Sequence, residues 1–247
     1  MCRLLGFSSK NSSTLPKLLG QDLDKFIALS QIHCDGWGYA HVEHSSPHAE
    51  NFREPTPAID STHLREQLDT PTDGALLHFR WASKGLDIKE SNTHPFTYEG
   101  VSFIHNGSFA PFDVLKPYLA DDFLKLVHGE TDSELYFYYL LTEIKKNGFI
   151  AGIQSALTFI KENISHSSAN MMIMNKDFFV TACRYNQDRI PELFKKDIVY
   201  YELRYKKTET AVLVASSGWN QDGWTILPND SLLIVDRNTQ NLDIVRL

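Results

Sequence analysis

Hydrophobic and polar positions alternate along this chain in two periods, and the switches between them mark its elements. Arg3 to Ser8 is mostly apolar and predicts a strand that orders the amino terminus. Leu15 to Leu29 changes to helical spacing, with Leu18, Leu19, Leu23, Phe26 and Ile27 on one face. Asp35-Gly36-Trp37-Gly38 predicts a tight turn into a strand, residues 44–60 an irregular Ser/Pro loop, and Ser61 to Asp69 a short helix. Gly74 to Ala82 and Val101 to His105 predict strands. Helices are expected over Pro111–Val127, over Leu135–Lys146 behind a capping box at Thr131–Glu134, and over Phe149–Lys161. Met171–Met174 and Phe178–Arg184 flank a turn at Asn175-Lys176-Asp177 and predict a hairpin. The last third predicts strands at Ile198–Tyr205, Ala211–Ser216, Ser231–Asp236 and Leu242–Val245. Strands joined by short turns, with helices grouped between them, indicate an α+β fold of antiparallel sheets covered by helices. No repeat or Gly/Ser-rich linker divides the chain, so residues 1–247 read as a single domain.

Composition narrows the partners. With 42% hydrophobic and 22% charged residues, the chain has the balance of a soluble domain with a substantial core. A net charge of -7 argues against nucleic acid, and no apolar run reaches membrane-span length. Residues 1–20 lack a basic segment followed by an apolar core, so a cytoplasmic protein is expected. Three scattered cysteines, Cys2, Cys34 and Cys183, make neither a disulfide framework nor a zinc motif. His33, His41, His44 and His48 lack ligand spacing, so no metal and no cofactor is expected.

Four positions carry candidate chemistry. Cys2 follows the initiator methionine and is small enough to permit its removal, which would put a thiol and a free α-amine on one residue. The amine of such a residue titrates near ~7.7–8.0 and can serve as base for its own nucleophile. Asn106-Gly107 is either a hairpin turn or a pair of donors for an oxyanion. Arg80, in an apolar strand, needs either an internal carboxylate or the carboxylate of a ligand. Asp132, in the first turn of a helix, either complements the helix dipole or receives an ammonium. Arg80 and Asp132 together would match the two charges of an α-amino acid.

Five blocks in order complete the picture: Met1-Cys2-Arg3; Asp35-Gly36-Trp37-Gly38; His78-Phe79-Arg80-Trp81-Ala82-Ser83 with Asn92-Thr93-His94-Pro95-Phe96; His105-Asn106-Gly107; and Glu130-Thr131-Asp132-Ser133-Glu134. They span residues 1–134 and resemble the class II glutamine amidotransferase domain of the N-terminal nucleophile hydrolases, most closely its stand-alone YafJ-like and EgtC-like members. The resemblance implies an αββα sandwich and hydrolysis of a γ-glutamyl amide, on glutamine or another small γ-glutamyl compound, through a thioester. It implies Cys2 as nucleophile with its α-amine as base through a water molecule, and Asn106 and Gly107 as the oxyanion hole. Arg80 and Asp132 would hold the substrate's α-carboxylate and α-ammonium. Trp81 and Ser83 would belong to a loop closing over the glutamyl group, His94 would support the site, and the Asp35–Gly38 turn would support the nucleophile strand. Ser83 stands where many relatives carry threonine, and on a chain of 247 residues no fused synthase domain is expected. An ammonia-donating subunit of a two-chain enzyme, and a catalytically silent γ-glutamyl-binding protein, are the alternatives.

Overall fold

A computed structural model describes residues 2–190, 192–194 and 199–247. Its strands are β1 (Arg3–Ser13), β2 (Trp37–His41), β3 (Glu50–Glu54), β4 (Thr72–Phe79), β5 (Phe96–Tyr98), β6 (Val101–Ala110), β7 (Ser165–Met174) and β8 (Phe178–Cys183). They continue with β9 (Leu203–Lys207), β10 (Ala211–Ser216), β11 (Thr225–Leu227), β12 (Ser231–Asp236) and β13 (Asn241–Arg246). The α-helices are α1 (Leu15–Leu19), α2 (Gln21–Ala28), α3 (His63–Asp69), α4 (Asp121–Leu124), α5 (Asp132–Asn147) and α6 (Phe149–Asn163). One sheet runs β11-β9-β10-β1-β4-β2-β3 and the other β13-β12-β8-β7-β6-β5. Every pairing is antiparallel.

Strand alternation builds four layers. On β1 and β4, Leu5, Phe7, Ala75, Leu77 and Phe79 point to the helical side, against Leu23 and Phe26 of α2 and Leu64 and Leu68 of α3. Leu4 and Leu76 point the other way and meet Ile104, Met172 and Phe179 of the second sheet. That sheet's outer face is covered by α5 and α6 through Tyr136, Leu140, Ile153, Leu157 and Ile160. The result is the expected αββα sandwich of an α+β protein. Its middle seam is where residues from both sheets can meet.

Several boundaries differ from the sequence reading, each for a physical reason. Gly20, at φ +56°, splits the expected Leu15–Leu29 helix into α1 and α2, both still facing one sheet. The expected loop at 44–60 contains β3, an edge strand whose Glu-Asn-Phe-Arg-Glu sequence has no apolar face to announce it. Pro111–Val127 is not one helix. Pro117, which has no N–H to donate, sits in a single 3-10 turn at Lys116–Tyr118, and only α4 follows. Thr131 caps α5 by accepting the Glu134 N–H at 3.2 Å, but the Glu134 carboxylate accepts from the N–H groups of His128 and Gly129 rather than closing a reciprocal box. The expected strand at Ile198–Tyr205 starts at Leu203, and Ile198 itself lies outside the described residues. β11 went unread. The turn of the β7–β8 hairpin, β10 and β12 fall where the pattern put them, but β7 starts at Ser165 rather than Met171, because its Ser-His-Ser-Ser opening has no apolar run.

Asn106-Gly107 is no turn. β6 runs through both residues, pairing Asn106 with Asn170 and Gly107 with Ala169. Glycine is needed there because a Cβ would lie 1.8 Å from the Ser168 carbonyl oxygen. Gly38 is constrained likewise: a Cβ would sit 2.1 Å from the His94 carbonyl oxygen and 2.8 Å from that of Phe52. Both obstacles are backbone, so they cannot rotate away. Gly38→Ala is therefore expected to destabilise the protein by about 3 kcal/mol or more, the upper range for overpacking, read as a lower denaturant midpoint at unchanged m-value.

Candidate active site

The amino-terminal end of β1 is held rigidly. Arg3 donates from Nε to His33 Nε2 at 3.1 Å and from Nη1 to the Tyr200 carbonyl at 2.9 Å. Its neighbour Cys2 shares the parity of Leu4 and so faces the seam between the sheets, 8% exposed. On the opposite sheet Asn106 shares the parity of Ile104 and faces the same seam. The two meet: the Cys2 N–H donates to Asn106 Oδ1 at 2.8 Å. That bond fixes the amide's orientation and leaves Asn106 Nδ2 buried with no acceptor. A buried donor without a partner carries a desolvation cost unless a ligand meets it.

The Cys2 thiol lies 4.0 Å from the Trp81 carbonyl oxygen. Burial pushes its pKa up, but the positive charge of the chain's amino terminus and the His78 imidazole outweigh this and bring it to about 6. His78 was not singled out as a site residue. It is fully buried on β4, donates from Nε2 to the His105 carbonyl at 3.2 Å, and stacks on His94 at 4.1 Å between ring centroids. Its Nδ1 has no partner at hydrogen-bond distance.

Arg80 follows β4 and is 3% exposed. Its backbone N–H donates to Gly36, and its guanidinium donates to the carbonyls of Asp35 at 3.4 Å and Asp87 at 3.1 Å. No carboxylate stands within ion-pair distance of it among the described residues. The internal salt bridge left open by the sequence is thus not made. The Asp35 carboxylate instead accepts the Ala82 N–H at 2.8 Å. This corrects one expectation: the Asp35–Gly38 turn does not abut the nucleophile strand. β2 pairs with β3 and β4, and the turn positions the Arg80–Ala82 segment.

Asp132 opens α5 and accepts the Phe109 N–H at 2.8 Å. Burial is the largest influence on its carboxyl and pushes its pKa up to about 6, against the hydrogen bonds from Phe109 and Ser133. A chain of hydrogen bonds lies behind it. His105 Nε2 faces the Ser168 carbonyl at 3.2 Å, so that nitrogen carries the proton and Nδ1 must accept. The donor is the Ser133 hydroxyl, 2.9 Å away. Ser133 Oγ also lies 3.4 Å from Asp132 Oδ1, a contact that lowers the Asp132 pKa, so its raised value comes from burial.

Cys2, Arg80, Trp81, Ser83, His94, Gly107 and Asp132 line one cleft, and Asn106 stands behind Cys2. All eight sequence-derived candidates are therefore brought together. Asn92, His105, Thr131 and Ser133 also line it. The open volume is about 30 Å³, room for little more than water. His94 is fully buried, and burial, followed by the charges of His78, His105 and Arg80, drives its pKa well below the usual imidazole range. Among the described residues no group of three or more His, Cys, Asp or Glu is placed to hold a metal ion.

Residues 1–239 match the family model described as glutamine amidotransferases class-II. The chain is 30% identical over 169 residues to the probable glutamine amidotransferase DUG3 of Saccharomyces cerevisiae, a match covering 60% of this chain and 47% of that protein. An uncharacterised protein of Methanocaldococcus jannaschii is 24% identical over 259 residues, covering 95% of this chain and 69% of the relative. The chain thus spans about half the length of the yeast relative. A glutamine–fructose-6-phosphate aminotransferase of Rhizobium leguminosarum shares 37% identity over 87 residues, 35% of this chain and 14% of the enzyme. Among solved structures, a glutamine aminotransferase class-II domain protein from Silicibacter pomeroyi superposes with a TM-score of 0.68 at 17% identity, covering 100% of this chain and 99% of that one. The glutamine phosphoribosylpyrophosphate amidotransferase of B. subtilis gives 0.67 at 16% identity, covering 99% of this chain and 49% of that one. At those identities the likeness is one of fold.

Proposed function

The chain belongs to the class II glutamine amidotransferase family, and on that premise we propose that it hydrolyses a γ-glutamyl amide through a thioester on Cys2. The observation that carries this reading is the 2.8 Å bond from the Cys2 N–H to Asn106 Oδ1, which leaves Asn106 Nδ2 unpartnered beside the thiol. Removal of Met1 would turn that nitrogen into a free α-amine. One of its N–H bonds would stay on Asn106, and its lone pair would take the thiol proton through a water molecule. The sulfur then attacks the γ-carbonyl carbon, and the oxygen that becomes negative is met by Asn106 Nδ2 and the Gly107 N–H. The ammonium returns its proton to the leaving nitrogen, ammonia or an amine departs, and water hydrolyses the thioester to release glutamate. Arg80, satisfied only by carbonyls, has donors left for the α-carboxylate, while Asp132 receives the α-ammonium. Trp81 and Ser83 cover the glutamyl group, and His94 supports the cleft wall. Cys2, Cys34 and Cys183 are all free thiols, which suits a reducing cytoplasm. No helix among the described residues is long and apolar enough to cross a membrane.

Assaying glutamate release from a panel of γ-glutamyl amides, with intact mass to establish whether Met1 is absent, tests the reading. A processed protein that turns over none of them would overturn it. A second reading, an ammonia-donating subunit of a two-chain amidotransferase, draws on the likeness to a relative named as an aminotransferase. Glutaminase activity seen only with a co-purifying partner would select it over the first.

Asp132 gives the proposal a pH signature. Its carboxyl, with a pKa raised to about 6, must be ionised to hold an ammonium. Glutamine KM is therefore expected to fall as pH rises through about 6 and to level off above 7. Asp132→Asn keeps an acceptor for the Phe109 N–H but loses the charge. It should raise KM about thirtyfold, the loss of ~2 kcal/mol for breaking a buried charge pair, and abolish this limb of the profile. The same raised pKa means that the folded state resists ionising Asp132, so stability falls as pH rises from about 4 to 6. Asp132→Asn is then expected to melt no lower than the parent at pH 7.

A further inference from the structure

A second polar cavity lies where the end of α6, the start of β7 and the segment after β8 converge, and it shares no residue with the Cys2 cleft. Its open volume is about 380 Å³, and Lys161, His166, Arg184 and Arg189 line it. Burial lowers the His166 pKa, so the cations are Lys161, Arg184 and Arg189, three on a chain with a net charge of -7. Asp230, which pairs with Arg184 and lies 3.9 Å from Lys161, is the one side-chain carboxylate at ion-pair distance from these groups among the described residues. Arg189 donates from Nη1 to Ser165 Oγ at 2.7 Å, and Lys161 to a backbone oxygen of Leu247, the last residue, at 2.6 Å.

Several donors remain unspent. Arg184 uses Nη1 on Asp230, and its Nε is buried with no acceptor. Arg189 uses only Nη1. His166, 7% exposed, spends its Nδ1 proton on the Ile164 carbonyl at 2.6 Å, and its unpartnered Nε2 is then an acceptor, suited to a hydroxyl or an acidic proton of the ligand. Gathering like charges around one cavity costs electrostatic energy that a bound anion would offset. Two guanidinium planes with free edges are suited to a planar carboxylate or a phosphate.

We propose that the cavity formed by Lys161, His166, Arg184 and Arg189 binds a small molecule bearing a phosphate or carboxylate dianion. Calorimetric titration of the full chain with inorganic phosphate and, separately, with succinate, at constant ionic strength, tests this. At least one probe is expected to saturate at a single site. Arg189→Ala is expected to weaken that binding about tenfold or more, the usual effect of deleting a charge-assisted bond, while Lys176→Ala, a distant surface cation paired with Asp177, leaves it unchanged. Tighter binding of phosphate assigns a phosphorylated ligand, and tighter binding of succinate a carboxylate one. Lys161→Ala, on the opposite wall, gives the same reading should Arg189→Ala fold poorly. Failure of both probes to saturate, or unchanged binding by the folded variants, overturns the proposal.

Discussion

Replacing Cys2 with alanine is expected to lower γ-glutamyl amide hydrolysis by about 10⁴-fold or more, the scale on which covalent enzymes depend on their nucleophile. The loss should lie in kcat and leave substrate binding largely in place. Arg80 and Asp132, the groups assigned to the two charges of the amino acid, are fixed by carbonyls and an N–H that do not involve the cysteine side chain. Alanine also keeps the backbone nitrogen and its bond to Asn106, so the end of β1 stays anchored there and at Arg3. Two measurements check this: glutamate release under saturating substrate, and intact mass after treatment with a glutamine-like alkylating agent. The parent should gain one adduct and Cys2→Ala none. Labelling of the parent at Cys34, the exposed thiol, or residual turnover within tenfold of the parent would remove Cys2 from the mechanism.

What the sequence made legible follows from which interactions are local. The apolar runs of β10 and β12, and the turn between β7 and β8, depend on a few adjacent residues, so β10, β12 and β8 lie where the pattern put them, whereas the polar first half of β7 did not announce itself. β3 was hidden because an edge strand of polar residues is defined by its partner β2 rather than by its own pattern. Asn106-Gly107 looked like a turn because that dipeptide favours one, and only pairing with β7 keeps it extended. In the cleft, Cys2, Arg80, Asn106 and Asp132 each left two readings open from their own setting, and the five blocks in order, through their resemblance to a known family, were what chose between them. His78, His105 and Ser133 were not singled out. Their importance arises from register, since His78 pairs opposite Leu4 across β1 and β4, and from a sheet-to-helix hydrogen bond joining His105 to Ser133. No local spacing encodes either.

Asn106 separates anchoring from catalysis, and its substitutions are expected to show the difference. Asn106→Ala removes the acceptor for the Cys2 nitrogen and the donor for the oxyanion together. Its expected loss of about 10²–10³ in kcat would therefore mix two causes. Asn106→Asp is close to isosteric and keeps an oxygen for the Cys2 N–H, so the anchor at 2.8 Å survives. What it exchanges is Nδ2, the buried donor without an acceptor, for a second oxygen. A donor needed only when the carbonyl oxygen becomes negative contributes to the transition state and not to substrate binding. The aspartate variant should accordingly lose at least as much kcat as the alanine variant, through repulsion of the oxyanion, while KM moves less than threefold. Comparable kcat in Asn106→Asp and the parent would reduce the residue to an anchor for the β1 terminus and leave the Gly107 N–H to stabilise the oxyanion alone.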